Sequence, residues 1–124
     1  MSTAGRILVV EDDPDAALFA VHVLANLGHF DVTHTADPAV ALRLVATEPW
    51  DLVVTDVQLP GMSGLELLDA LRHVAPALPV VVATATPGGS MRLNKADVYL
   101  EKPLRIASLL ATATTLIDRG RTAR

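Results

Sequence analysis

Ile7-Leu8-Val9-Val10-Glu11-Asp12-Asp13 passes from four apolar residues straight into three acids. A run with no polar alternation suits a strand covered on both faces, the environment of a central strand in a parallel sheet. Three further runs share this form. Leu52-Val53-Val54-Thr55 leads to Asp56, Val80-Val81-Val82-Ala83 to Thr84, and Val98-Tyr99-Leu100-Glu101 to Lys102-Pro103. If the four runs lie parallel, carboxylates, a hydroxyl and an ammonium group converge at one edge of a sheet. Open α/β sheets bind their ligands at that edge.

The segments between the runs read as helices. Asp13-Pro14 supplies an N-cap and a proline at the first helical position, with Leu18, Val21, Leu24, Ala25 and Leu27 as the apolar face and Gly28 as the stop. Phe30 to Thr35 alternates like an edge strand, and Asp37-Pro38 opens a second helix reaching Thr47. Ser63 caps a helix over Leu65 to Val74, with Glu66 placed for a capping box. The last helix runs from Leu104 to about Ile117, with Ile106, Leu109, Leu110, Ala113 and Ile117 at helical spacing. Alternating β and α units of this length predict a doubly wound five-stranded parallel sheet, ordered 2-1-3-4-5, with helices on both faces. Between Thr84 and the fifth strand, Pro87-Gly88-Gly89 leaves room only for a shortened or irregular fourth helix.

The 124 residues suit one domain, 1–124, with 1–5 and 119–124 as flexible ends. Charges interrupt every apolar stretch well short of a membrane span, and the first residues are too polar for a signal peptide. With no cysteine, the chain fits a reducing cytoplasm. A formal net charge of -4 argues against direct nucleic-acid binding, and the Arg119, Arg121 and Arg124 cluster reads as a solvated terminus. His22, His29, His34 and His73 lack metal-ligand spacing and read as surface or half-buried residues.

Chemistry concentrates at the strand ends. Glu11 and Asp12 can both turn toward the crevice beyond the last ladder bond, where Asp56 adds a third carboxylate. Three like charges this close need a cation, and a hard divalent ion such as Mg2+ meets that need. The plainer reading, acids capping helices at strand ends, fits Asp13 and remains open for Glu11 and Asp12. Asp56 follows a buried run, and a carboxylate at the rim of a core can attack phosphorus to give an aspartyl phosphate. Such attack depends on neutralising the phosphoryl oxygens, which the Lys102 ammonium and the Thr84 hydroxyl can do beside the metal. Taken singly, Thr84 is a strand-end hydroxyl and Lys102 an exposed lysine; their common edge is what argues for chemistry. A cis Lys102-Pro103 bond would bring Lys102 back over the crevice, and sequence does not decide the isomer.

These motifs, with Thr55-Asp56-Val57-Gln58-Leu59-Pro60-Gly61-Met62-Ser63-Gly64 and Tyr99-Leu100-Glu101-Lys102-Pro103, resemble those of bacterial two-component response-regulator receiver domains over nearly the whole chain. The resemblance implies that Asp56 accepts a phosphoryl group from a phosphohistidine on a sensor histidine kinase or histidine phosphotransfer protein. It implies a Mg2+ pocket of Glu11, Asp12, Asp56 and the backbone carbonyl of Gln58. Thr84 and Lys102 match the switch hydroxyl and the phosphate-binding lysine, and Tyr99 the aromatic that turns inward on activation. Gln58 and Thr86 match positions that govern water access to the acyl phosphate. Such a receiver is not an enzyme acting on a small substrate; it passes its state to a downstream protein target. The Thr84 to Lys102 segment is a few residues shorter than the family's, which puts the usual relay face in question.

Two other functions stay open at this point. One is an unphosphorylated receiver-like interaction module. The other is a Mg2+-dependent phosphohydrolase with an aspartyl nucleophile, although Gln58 stands where such enzymes carry a second acid.

Overall fold

The computed structural model describes residues 5–85 and 96–122. The expected shortened fourth helix, and Thr86 with it, falls on 86–95, outside the described residues. Five strands form one sheet: β1 (Arg6–Val10), β2 (Asp31–Thr35), β3 (Leu52–Asp56), β4 (Val80–Thr84) and β5 (Val98–Glu101). All are parallel and their order is β2-β1-β3-β4-β5, as the alternation of elements predicts. Val10 lies opposite both Thr35 and Thr55, Asp56 opposite Ala83, and Thr84 opposite Glu101. The register therefore brings the polar ends of β1, β3, β4 and β5 to one edge, with the order reversing between β1 and β3.

Strand residues alternate between two apolar cores. Ile7, Val9, Leu52, Val54 and Val81 face helices α1 (Pro14–Val21) and α4 (Ile106–Thr122). Leu8, Val10, Val53, Val80 and Val82 face α2 (Pro38–Thr47) and α3 (Gly64–Val74). Burial of the central strands on both sides explains their unbroken apolar sequence. Edge strand β2 is nowhere fully buried, with Asp31 and His34 exposed, which is why its sequence mixes polar and apolar residues.

The caps anticipated from sequence are present. Asp13 Oδ1 accepts from the Asp15 N–H at 3.3 Å, and Asp37 Oδ1 from the Ala39 N–H at 2.9 Å. In α3, Ser63 Oγ accepts from the Glu66 N–H at 3.1 Å, while Glu66 Oε1 accepts from the Ser63 N–H at 2.9 Å.

Helix α1 differs from its expected face. Leu18 is 70% exposed and Leu27 48% exposed, while Ala17, Ala20, Val23 and Leu24 are buried. After Val21 the chain widens into a π-helical segment, His22–Leu27, closed by the Gly28 N–H donating to Val23 O at 3.0 Å. The wider turn shifts the phase that a period of 3.6 assumes. Gly28 does end the segment, but at φ -91°; the left-handed residue is His29, at φ 60°. Gly28 is small for packing instead, since a Cβ there would lie 2.8 Å from the Phe30 ring and 2.9 Å from Leu110 Cδ2. Helix α4 starts at Ile106 and reaches Thr122, burying Leu109, Ala113, Leu116 and Ile117 while Ile106 is exposed.

Candidate functional site

Glu11 and Asp12 follow β1, Asp56 ends β3, and each offers a carboxylate oxygen within 4.8 Å of the others'. Glu11 and Asp56 are buried, whereas Asp12 is exposed at the mouth. Lys102, just past β5, reaches into this group. Its Nζ is 3.1 Å from Glu11 Oε1 and 3.1 Å from Asp56 Oδ1. The Lys102–Pro103 peptide bond is cis. The Lys102 N–H donates to Thr84 O at 2.8 Å, tying the lysine's backbone to the end of β4. Thr84 itself is fully buried.

Backbone donors complete the cluster. The Val57 N–H donates to Asp56 Oδ1 at 2.8 Å, and the Asp13 N–H to Glu11 Oε2 at 3.2 Å. Asp56 Oδ1 thus faces one amide and one ammonium, two donors aimed at a single oxygen at the rim of the core. Burial raises the Glu11 pKa above its ordinary value, opposed by the Asp13 amide and Lys102 and reinforced by the charge of Asp56. For Lys102, burial alone would lower the pKa, but its bonds to Glu11 and Asp56 outweigh that and raise it. The ammonium is therefore charged throughout the neutral range.

Of the five polar residues singled out at the strand ends, Glu11, Asp12, Asp56 and Lys102 bring their side chains together here, and Thr84 joins them through its carbonyl. Tyr99, opposite Val82 on β5, packs partly buried against the α2–α3 core. Its hydroxyl is buried and has no hydrogen-bond partner among the described residues. A buried phenol normally finds one. The Gln58 side chain is exposed. Among the described residues, the three carboxylates form the only such cluster of metal-capable groups, and no histidine belongs to it. Three hard oxygen donors with no sulfur or imidazole suit a hard divalent cation such as Mg2+.

Two residues matter more than their sequence context suggested. Gly64, read as part of a turn, packs its Cα against the main chain of Asp56 and Val57, and its N–H donates to Val57 O at 2.6 Å. A glycine at the first position of an otherwise well-capped helix was the available signal. His34 is the second: its Nε2 lies 2.8 Å from Glu11 O. No spacing rule could have shown that.

Comparison with known proteins agrees with this geometry. Residues 7–114 match the family model described as "Response regulator receiver domain". The probable transcriptional regulatory protein SilR of Salmonella typhimurium is 35% identical over 94% of this chain and 53% of its own length. The chain thus spans about half the length of that curated relative. A CheY-like receiver domain structure from Methanospirillum hungatei has a TM-score of 0.88 at 26% identity, covering 96% of this chain and 98% of that one. The receiver domain of a sensor histidine kinase from Pseudomonas aeruginosa has a TM-score of 0.84 at 28% identity, covering 92% of this chain and 98% of that one. That structure was solved with magnesium coordinated in its active site cleft. Neither the phosphohydrolase nor the unphosphorylated module is favoured by these likenesses. A fold, an acidic crevice and a family match over most of the chain agree, and the chain belongs to the response-regulator receiver domains of two-component signalling.

Proposed function

We propose that Asp56 is the phosphoacceptor of this receiver, taking its phosphoryl group from a phosphohistidine of a sensor histidine kinase or phosphotransfer protein. The observation that carries this is the buried Asp56 carboxylate paired with Lys102 at 3.1 Å on the crevice side of the sheet. In the transfer, a carboxylate oxygen of Asp56 attacks phosphorus, the P–N bond to the donor breaks, and the imidazole leaves with the bonding pair. Lys102 moves from the carboxylates toward the incoming phosphoryl oxygens, and the Thr84 hydroxyl approaches from the end of β4. Glu11, Asp12, Asp56 and the backbone carbonyl of Gln58 would hold Mg2+, which supplies charge neutralisation at the phosphoryl oxygens. Thr84 and Tyr99 form the switch: movement of the buried threonine changes the space beside the Tyr99 ring.

On this reading the chain is a stoichiometric acceptor in the cytoplasm. Its phosphorylated surface addresses a protein target, and it does not turn over a small substrate. No described helix is long and apolar enough to cross a membrane. Incubation with a small phosphodonor and Mg2+, followed by intact mass, tests the reading. One added phosphoryl group is expected, absent in Asp56→Asn and absent with a chelator. An adduct that persists in Asp56→Asn would remove Asp56 from the role, and repeated turnover of a phosphate ester would point to a hydrolase.

The raised pKa of Glu11 has a consequence for stability. The folded chain holds the Glu11 proton more tightly than the unfolded chain, so ionising this carboxyl costs stability. That cost is absent below the ordinary carboxyl range and fully present above the folded pKa. Glu11→Gln keeps an acceptor for Lys102 but removes the charge. In chelator at neutral pH it should melt at or slightly above the native protein, and the difference should vanish in acid. Saturating Mg2+ reverses the order, because the native protein gains about 2.7 kcal/mol when the ion is at 100 times its Kd. A Glu11→Gln protein that melts well below native in chelator contradicts this account.

A further inference from the structure

The segment carrying Glu11 and Asp12 leaves the sheet after Val10, so β1 no longer fixes its backbone. Two adjacent carboxylates facing a third would tend to rotate apart, and Asp12 has open solvent to turn into. Edge strand β2 supplies the restraint. The Glu11 N–H donates to Thr35 O at 3.1 Å, and the Glu11 carbonyl lies 2.8 Å from His34 Nε2. Two consecutive residues of β2 therefore hold both main-chain groups of Glu11. The carbonyl belongs to the peptide joining Glu11 to Asp12, and its direction sets the plane from which Asp12 departs. A carbonyl only accepts, so the imidazole carries its proton on Nε2. His34 lies opposite Val9 in the register and leans past the strand end to reach this carbonyl.

We propose that His34 is a positioning residue for the cation pocket: its Nε2–H fixes the Glu11–Asp12 peptide so that both carboxylates face Asp56. The proposal rests on the reading of Glu11, Asp12 and Asp56 as the Mg2+ pocket. His34 touches neither the ion nor the phosphoryl group; it acts through the backbone of a ligand. Partners of this kind set ligand direction in metal sites, and their loss typically weakens metal binding by about 10- to 100-fold. A single bond to one ligand's backbone belongs at the lower end of that range.

The test compares His34→Ala, His34→Gln and the native protein by Mg2+ titration, following backbone amide signals, and by melting in chelator. His34→Ala should weaken Mg2+ binding about tenfold. His34→Gln, whose side-chain N–H can reach the same carbonyl, should recover most of the affinity. All three should melt alike in chelator, and amide exchange in the metal-free protein should quicken at Asp12 and Asp13 in His34→Ala alone. Phosphoryl incorporation at saturating Mg2+ should reach the native extent in each, so the defect lies in the concentration needed. His34→Ala binding as tightly as native overturns the proposal. So does an equal loss in both variants accompanied by a matching loss of stability, which marks a general structural role. If native protein binds no Mg2+, the reading of the pocket fails and this proposal with it. If native binds and His34→Ala matches it, only the proposal fails.

Discussion

Gly64→Ala should be the most damaging glycine-to-alanine substitution among the described residues. An added Cβ would lie 2.3 Å from Asp56 O and 2.6 Å from Val57 Cα. Both atoms are backbone, so no rotamer change relieves the overlap. Either α3 withdraws from the sheet or the end of β3 moves. Overpacking of side chains costs about 1–3 kcal/mol, and a clash against rigid main chain belongs at or above the top of that range. A loss near 3 kcal/mol lowers the melting temperature by on the order of 10 °C in a domain of this size. The residual folded protein should also accept phosphoryl groups more slowly, because a displacement of roughly 1 Å at a reacting group can cost about 100-fold in rate. Gly61→Ala is the natural control. Gly61 has φ +75° but nothing within 4 Å of its Cβ position, so only backbone conformation opposes alanine there. That costs about 1–2 kcal/mol and leaves Asp56 in place. Thermal unfolding of the two variants with Mg2+ absent separates close approach from backbone strain. Equal melting temperatures would refute the packing argument.

Lys102→Ala should abolish most phosphoryl transfer while leaving the fold intact. The ammonium sits 3.1 Å from both Glu11 and Asp56, and nothing else described reaches the two carboxylates together. Loss of one preorganised donor at a developing charge typically slows catalysis by about 100- to 1,000-fold. Lys102→Arg should rescue little, since a planar guanidinium cannot occupy a site shaped for a point charge. The metal-free protein should also lose stability, through repulsion between the remaining carboxylates. With the lysine side chain 23% exposed, the several kcal/mol of a fully buried pair shrinks to about 1–2 kcal/mol. The sign with pH follows from the raised Lys102 pKa. The lysine's contribution is fully present below the ordinary lysine pKa and is lost as pH rises through the higher folded value. At neutral pH the native protein should therefore outlast Lys102→Ala in denaturant, with the gap closing in strong alkali. Single-turnover phosphorylation at saturating Mg2+ measures the first effect. A rate within threefold of native would show that Lys102 is not needed at the phosphoryl oxygens.

What could be read in advance followed burial. The central strands were legible because both sheet faces are covered, which leaves no polar alternation to confuse the pattern. Their terminal Asp56 and Thr84 were legible because a polar group directly after such a run has one exit, the sheet edge, whereas Lys102 follows the partly exposed outer strand β5 and was placed by its motif. Helix α1 resisted in its orientation, since Ala16 to Val21 is apolar on every side and the π-helical segment changes the spacing after Val21. Leu18 was assigned to the core for that reason and lies in solvent. Distances across the fold were not readable at all. The sequence placed Lys102 near Asp56, but its equal reach to Glu11 depends on how the β5–α4 connection folds back. His34 lies 23 residues from the carbonyl it meets. Gly64 contacts the Asp56 main chain through the absence of a side chain; its place at the start of a capped helix hinted at close packing but not at what it packs against.

The sheet also separates two interiors that share no side chain. Substitutions whose side chains lie more than about 7–10 Å apart usually add without interaction. Val9, Val54 and Ala20 on one side should therefore couple with each other, and hardly at all with Val53, Leu67 and Val82 on the other. The two compartments are unequal in what they touch. The α3 side is braced against the Asp56 main chain through Gly64, so repacking it perturbs Asp56 directly. The interior beneath α1 and α4 reaches the site by another route, since Leu52 and Val54 precede Asp56 on the same face of β3 and Leu104, two residues past Lys102, packs into it.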